Sequence, residues 1–153
     1  MTFCLDSTII GPEKNEDIKN IVVLLHGYGG DGEDISMLSL NWRRHMPNTI
    51  FICPNGHEPC AVNPSGYQWF DLGNDNPNYI LDEFLKEKRK LTKFLDEIKN
   101  KYKVDNNKII LSGFSQGCMM SINVGLTSEK PFNCIVGFSG KIINLDDLKN
   151  RRK

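Results

Sequence analysis

Ile109-Ile110-Leu111-Ser112-Gly113-Phe114-Ser115-Gln116-Gly117 joins an apolar, β-branched run to a helix-forming one across a glycine-flanked serine. The run Ile109-Ile110-Leu111 reads as a strand buried on both faces. Met119, Met120, Ile122 and Val124 mark a helix from Gln116 to Gly125. A serine on so sharp a strand-to-helix turn carries its hydroxyl above the sheet. Gly113 and Gly117 let neighbouring backbone approach closely. The helix N-terminus points free N–H groups at the same place, where negative charge is stabilised. GxSxG alone is weak, since a chain with 13 glycines meets it by chance about 6% of the time. The flanking strand and helix carry the weight.

Working outward, Ile21-Val22-Val23-Leu24-Leu25, Thr49-Ile50-Phe51-Ile52-Cys53 and Cys134-Ile135-Val136-Gly137-Phe138 are further continuous apolar runs. Thr8-Ile9-Ile10 fits a shorter edge strand. Between residues 79 and 102, Leu81, Phe84, Leu85, Leu91, Phe94, Leu95, Ile98 and Tyr102 recur at three- and four-residue steps among Lys and Glu, which predicts one amphipathic helix. A shorter helix is expected from Asp34 to Arg44. Strands alternating with helices predict the α/β class, with a mostly parallel sheet flanked by helices on both faces. Residues 54–78, rich in Pro, Gly, Asn and Asp, read as a long loop of the kind that carries binding surfaces.

The 153 residues suit one domain, residues 1–153. Nineteen basic residues balance nineteen acidic ones, so nothing points to nucleic acid or an anionic membrane surface. The basic end Arg151-Arg152-Lys153 reads as a solvated tail. No apolar run approaches the ~18 residues of a membrane span. Met1 to Asp6 has neither the basic nor the apolar region of a signal peptide. Five cysteines, an odd number without framework spacing, predict reduced thiols and a cytoplasmic location. Cys53, His57 and Cys60 form no CxxC pair and no second pair follows, so no metal is expected.

His26-Gly27-Tyr28-Gly29-Gly30 follows the first buried strand directly. Alone it reads equally well as a tight strand-to-helix turn that uses glycine for positive φ. Beside the serine turn, it reads as the source of a second backbone N–H which, with that of Gln116, makes a two-donor oxyanion hole. One such donor is worth about 3–4 kcal/mol in an acyl-transfer transition state.

Four segments in order carry a family resemblance: Leu24 to Gly32, Gly66-Tyr67-Gln68-Trp69-Phe70-Asp71, Ile110 to Gly117, and Gly137-Phe138-Ser139-Gly140. The sequence resembles the phospholipase/carboxylesterase family of α/β hydrolases, which includes acyl-protein thioesterases. The resemblance implies Ser115 as nucleophile, Tyr28 and Gln116 as backbone oxyanion donors, and Trp69 and Phe70 at the substrate pocket. It implies a small ester or thioester as substrate, and no cofactor. Cys118 stands where relatives often have Gly or Thr, and is expected to be a buried small residue rather than a second nucleophile.

A triad serine also needs a base and an acid, which in this superfamily follow it in the order Asp or Glu, then His. The three histidines, His26, His45 and His57, all precede Ser115. His26 is expected to be structural, and neither Asp146 nor Asp147 is expected to be the triad acid. The expectation is therefore a partial α/β-hydrolase domain without its last strands and helices, impaired in catalysis. The strand Cys134–Phe138 would be an exposed apolar edge. That edge would favour self-association or a complementary fragment. Three functional readings stay open: an impaired esterase, a non-catalytic binding module, and one part of a hydrolase completed in trans.

Overall fold

A computed structural model describes residues 3–12 and 17–151. The elements in chain order are β1 (Ser7–Ile10), β2 (Asn20–Leu25), α1 (Gly32–Trp42), β3 (Thr49–Pro54), β4 (Glu58–Pro59), β5 (Tyr67–Gln68), α2 (Pro77–Tyr102), β6 (Ile109–Phe114), α3 (Gln116–Thr127), β7 (Cys134–Phe138) and α4 (Leu145–Arg151). Five strands form one sheet in the order β1-β3-β2-β6-β7. Four of them run parallel, and β1 closes one edge antiparallel to β3. Arg152 and Lys153 of the basic tail lie outside the described residues.

Strand residues alternate between two cores, which is why the central runs are apolar throughout. Ile21, Val23, Leu25, Ile50, Ile52, Ile109 and Leu111 face α2 and α3. Val22, Leu24, Phe51 and Cys53 face α1, against Ile35, Trp42 and Met46. Helices thus cover both faces, as the alternating pattern predicts. Coverage on the α1 side is incomplete, because α1 packs on β1, β2 and β3. Beyond it Phe114, Val136 and Phe138 are 50%, 37% and 44% exposed.

Helices α1 and α2 begin where a side chain satisfies a free N–H group. The Asp31 carboxylate accepts from the Asp34 N–H at 2.7 Å, so α1 starts at Gly32, two residues before the expected Asp34, and its last helical residue is Trp42. Replacing Asp31 with Ala is expected to cost about 1 kcal/mol in chemical denaturation. For α2, Asn76 accepts from the Asn78 N–H at 2.9 Å and Pro77 opens the first turn. Lys103, left-handed at φ 53°, closes it by donating to Lys99 O. Phe84, Leu91, Phe94, Leu95 and Ile98 form the buried stripe of α2, as the periodicity predicts.

The long loop is more ordered than its composition suggests. Glu58 pairs with Gln68 and Pro59 with Tyr67 in a two-residue antiparallel ladder. Trp69 and Phe70 then turn into the core, where Phe70 meets Phe84 edge-on at 5.6 Å. Among the described residues no helix is long and apolar enough to cross a membrane.

Candidate active site

Parallel strands deliver their C-terminal ends, and the loops that follow, to one edge of the sheet. Ser115 sits there between β6 and α3 at φ 52°, ψ −113°, a conformation that side chains rarely adopt. Its side chain makes no capping bond to the helix it precedes, so the hydroxyl is not used up locally. Its N–H donates to Phe138 O at 2.8 Å, which ties the turn to the end of β7. A Cβ on Gly113 would fall 2.4 Å from the Gly117 carbonyl, and one on Gly117 would fall 2.3 Å from Leu25 O. Both positions therefore require glycine on steric grounds. The strained serine turn is held by contacts on three sides, which is how such a conformation persists. Replacing Ser115 with Gly is expected to raise stability by about 1 kcal/mol, because glycine takes positive φ without the Cβ penalty. Thermal or chemical denaturation checks this.

The turn from His26 to Gly30 lies against the same serine. A Cβ on Gly27 would sit 3.4 Å from Ser115 Cβ and 3.0 Å from the Phe114 ring. Gly29 takes φ 78° and Gly30 N–H donates back to Gly27 O at 3.0 Å, so the turn is tight. Among the described residues the Tyr28 N–H donates to no protein acceptor. The Gln116 N–H is in the first turn of α3, where helix geometry leaves donors free. Those are the two N–H groups that the sequence nominates as oxyanion donors.

The histidines occupy other roles. His26 is 1% exposed, its Nδ1–H donates to Gly27 O at 2.7 Å, and its Nε2 accepts from the Gly56 N–H at 2.9 Å. Both ring nitrogens are committed, which fixes one neutral tautomer. Burial pushes its pKa below the ordinary 6.5, against a smaller opposing effect of the Gly27 carbonyl. A base with a depressed folded pKa contributes its full stability above the unfolded pKa. That stability is lost as pH falls, because the unfolded chain then takes a proton that the fold refuses. Unfolding free energy is therefore expected to drop below pH 6.5, by up to about 1.4 kcal/mol per pH unit. Replacing His26 with Asn is expected to flatten that part of the denaturation profile. His45 and His57 are exposed and make no side-chain bond to Ser115 among the described residues.

Asp147 is engaged away from the serine. Its carboxylate takes Lys88 Nζ at 3.0 Å and Arg151 Nε at 2.6 Å, which ties α4 to α2. Burial alone would raise its pKa, but the Lys88 and Arg151 bonds outweigh that and hold it below the usual carboxylate range. Asp71 likewise accepts from the Gly73 N–H at 2.9 Å and the Tyr79 hydroxyl at 2.8 Å, anchoring the loop to α2. Cys118 is buried, its Sγ 2.5 Å from where a Cβ would stand on Gly137 or Gly140. Burial pushes that thiol up. The five cysteines are free thiols. Cys53 and Cys60 are buried, and no group of three metal-binding side chains occurs among the described residues.

A cleft of about 560 Å³ opens beside the serine turn, lined by Gly27, Ile35, Leu38, Trp42, Phe114, Phe138 and Ser139 among others. Trp69 and Phe70, nominated for the substrate pocket, are 2% and 1% exposed and do not line it. They underlie the site instead. Trp69 Nε1–H donates to His26 O at 2.9 Å, and its main-chain N–H donates to the Gln116 side chain at 2.8 Å. Sequence reasoning missed that Gln116 side chain and the Phe138 carbonyl. No local pattern marks either, because their partners lie far away in sequence.

The pattern of the Phospholipase/Carboxylesterase family matches residues 6–153. Acyl-protein thioesterase 1 of Schizosaccharomyces pombe is 31% identical over an alignment of 149 residues, with 92% of this chain and 63% of the yeast protein covered. Its counterpart in Candida albicans is 29% identical over 139 residues, 84% of this chain and 60% of that protein. The chain thus spans less than two thirds of these relatives. The crystal structure of esterase PE8 superposes with a TM-score of 0.90 at 35% identity, covering 97% of this chain and 69% of that one. A carboxylesterase from Mesorhizobium loti follows the same fold, with a TM-score of 0.74 at 18% identity, covering 92% of this chain and 63% of that one.

Proposed function

The chain belongs to the phospholipase/carboxylesterase family, and on that premise we propose that it carries the nucleophilic part of a hydrolase of carboxylic esters or thioesters. The observation that supports this best is Ser115, strained and uncapped beside two N–H donors. In the proposed reaction Ser115 Oγ attacks the carbonyl carbon while its proton passes to a base. The oxyanion forms against the N–H groups of Tyr28 and Gln116. Collapse expels the alcohol or thiol, which takes the proton back, and water then cleaves the acyl-enzyme to release the acid. Trp69 and Phe70 do not line the cleft, and their bonds to His26 and Gln116 support the two donor turns from below.

His26 is committed at both nitrogens, and neither His45 nor His57 bonds to Ser115 among the described residues, so we assign the base to polypeptide outside these 153 residues. The chain by itself is then a slow enzyme that retains the reactivity of its oxyanion site. Treatment with a fluorophosphonate, followed by peptide mass analysis, is expected to place the adduct on Ser115. An adduct elsewhere, or none even when the part of an esterase relative beyond the match is added, would overturn this reading.

A second reading, binding without turnover, draws on the uncovered apolar face next to α1 and the free edge of β7. Association through that edge is expected in sedimentation. A monodisperse, stable monomer would count against it. Ester turnover by these 153 residues that depends on Ser115 would count against binding alone.

A further inference from the structure

We propose that the side-chain amide of Gln116 is a positioning residue that fixes the spacing of the two oxyanion donors, acting through residues 66–70 as a splint. The inference rests on reading Ser115 as the nucleophile. Gln116 is 1% exposed, and its amide is satisfied at both ends by a single loop. Oε1 accepts from the Trp69 N–H at 2.8 Å, and Nε2 donates to Phe70 O at 2.7 Å. The same loop grips the other donor's turn at several points. Trp69 Nε1–H donates to His26 O at 2.9 Å. Tyr67 N–H donates to Gly30 O at 2.8 Å and accepts at its carbonyl from the Gly29 N–H at 2.9 Å. Gly66 lies so close that a Cβ on it would fall 2.1 Å from Gly29 O.

One main-chain segment therefore holds the residues on either side of Tyr28 with one set of bonds and Gln116 with another. The backbone of Gln116 is one donor, and its side chain reaches through the loop to the other. Buried, charge-neutral bonds of this kind leave little play. An oxyanion hole works only when its donors are aimed at where the oxygen will be, so a shift of the turn costs the chemical step and not initial binding.

The test separates the two steps of fluorophosphonate reaction at Ser115. Gln116→Met keeps the backbone N–H and the side-chain length but makes neither amide bond. It is expected to lower the first-order phosphonylation rate about tenfold or more, with the reversible binding constant changed less than about twofold. Trp69→Phe, which removes the indole bond to His26 and leaves the loop's main-chain bonds in place, is expected to give the same split. The double variant is expected to fall no further than the worse single one, because the bonds act in series. An unchanged rate in Gln116→Met, or losses that simply multiply, would overturn the proposal. If the unmodified chain takes no label even with the part of an esterase relative beyond the match added, the nucleophile reading fails, and amide exchange decides the positioning role by itself. Gly29 and Gly30 are then expected to exchange about tenfold faster in Gln116→Met, with Val22 to Leu25 unchanged. Unchanged exchange at Gly29 and Gly30, or equal acceleration throughout β2, would overturn it.

Discussion

Ser115→Ala is expected to abolish fluorophosphonate labelling of the chain. In the presence of a polypeptide that supplies the base, it is expected to reduce ester turnover about a millionfold, the scale of nucleophile loss in serine proteases. The variant removes one oxygen and keeps the Cβ, so the strain at φ 52° remains and the fold should not change. Circular dichroism and denaturation should therefore match the unmodified chain within about 0.5 kcal/mol. That separation matters because loss of label with loss of structure would say nothing about chemistry. Retained turnover would mean that some other group attacks the carbonyl. Cys118, the nearest thiol in sequence, is an unpromising one, being buried with its pKa raised.

The second large effect is structural. Gly117→Ala would place a methyl 2.3 Å from Leu25 O and 2.5 Å from His26 O. Both are backbone atoms of the central strand and its turn, so neither can swing aside as a flexible side chain would. Helix α3 must lift from β2, at a cost of about 3 kcal/mol, the upper end of the usual overpacking range. Urea denaturation measures this as a lower midpoint at constant slope. The same displacement moves the His26–Gly30 turn relative to Ser115. Labelling is expected to fall in the molecules that remain folded, whereas Asp31→Ala, at the far side of that turn, costs stability through α1.

The residues whose chemistry is local were legible in the sequence. Ile21–Leu25 and Ile109–Leu111 announce buried parallel strands because no polar residue interrupts them. Gly113 and Gly117 announce the close approach at Ser115 because no other residue fits there. The α2 stripe follows from its three- and four-residue spacing. Less legible was whatever depends on a partner distant in sequence. The start of α1 is the exception, a local feature that the apolar spacing hid, since the Asp31 carboxylate caps the Asp34 N–H only three residues on. Trp69 and Phe70 sit in a polar loop, and only the fold turns them into the core against Phe84. Gln116 was read for its backbone, because a side chain that bonds to residues 69 and 70 leaves no trace in local periodicity. The family resemblance nominated Tyr28 and located the loop, but it did not say what holds them in register.

The bond from the Ser115 N–H to Phe138 O gives β7 a second meaning. Among the described residues β7 is paired on one side only, with β6, and three of its side chains stand open to water. A strand with a single ladder opens more readily than the central strands do. The Ser115 turn is therefore moored to an edge strand of the sheet. Fraying of that edge would loosen the serine before it disturbed the core, and anything that pairs with β7 would tighten it. Order at Ser115 is in this sense tied to a strand edge that supplies neither of the proposed oxyanion donors.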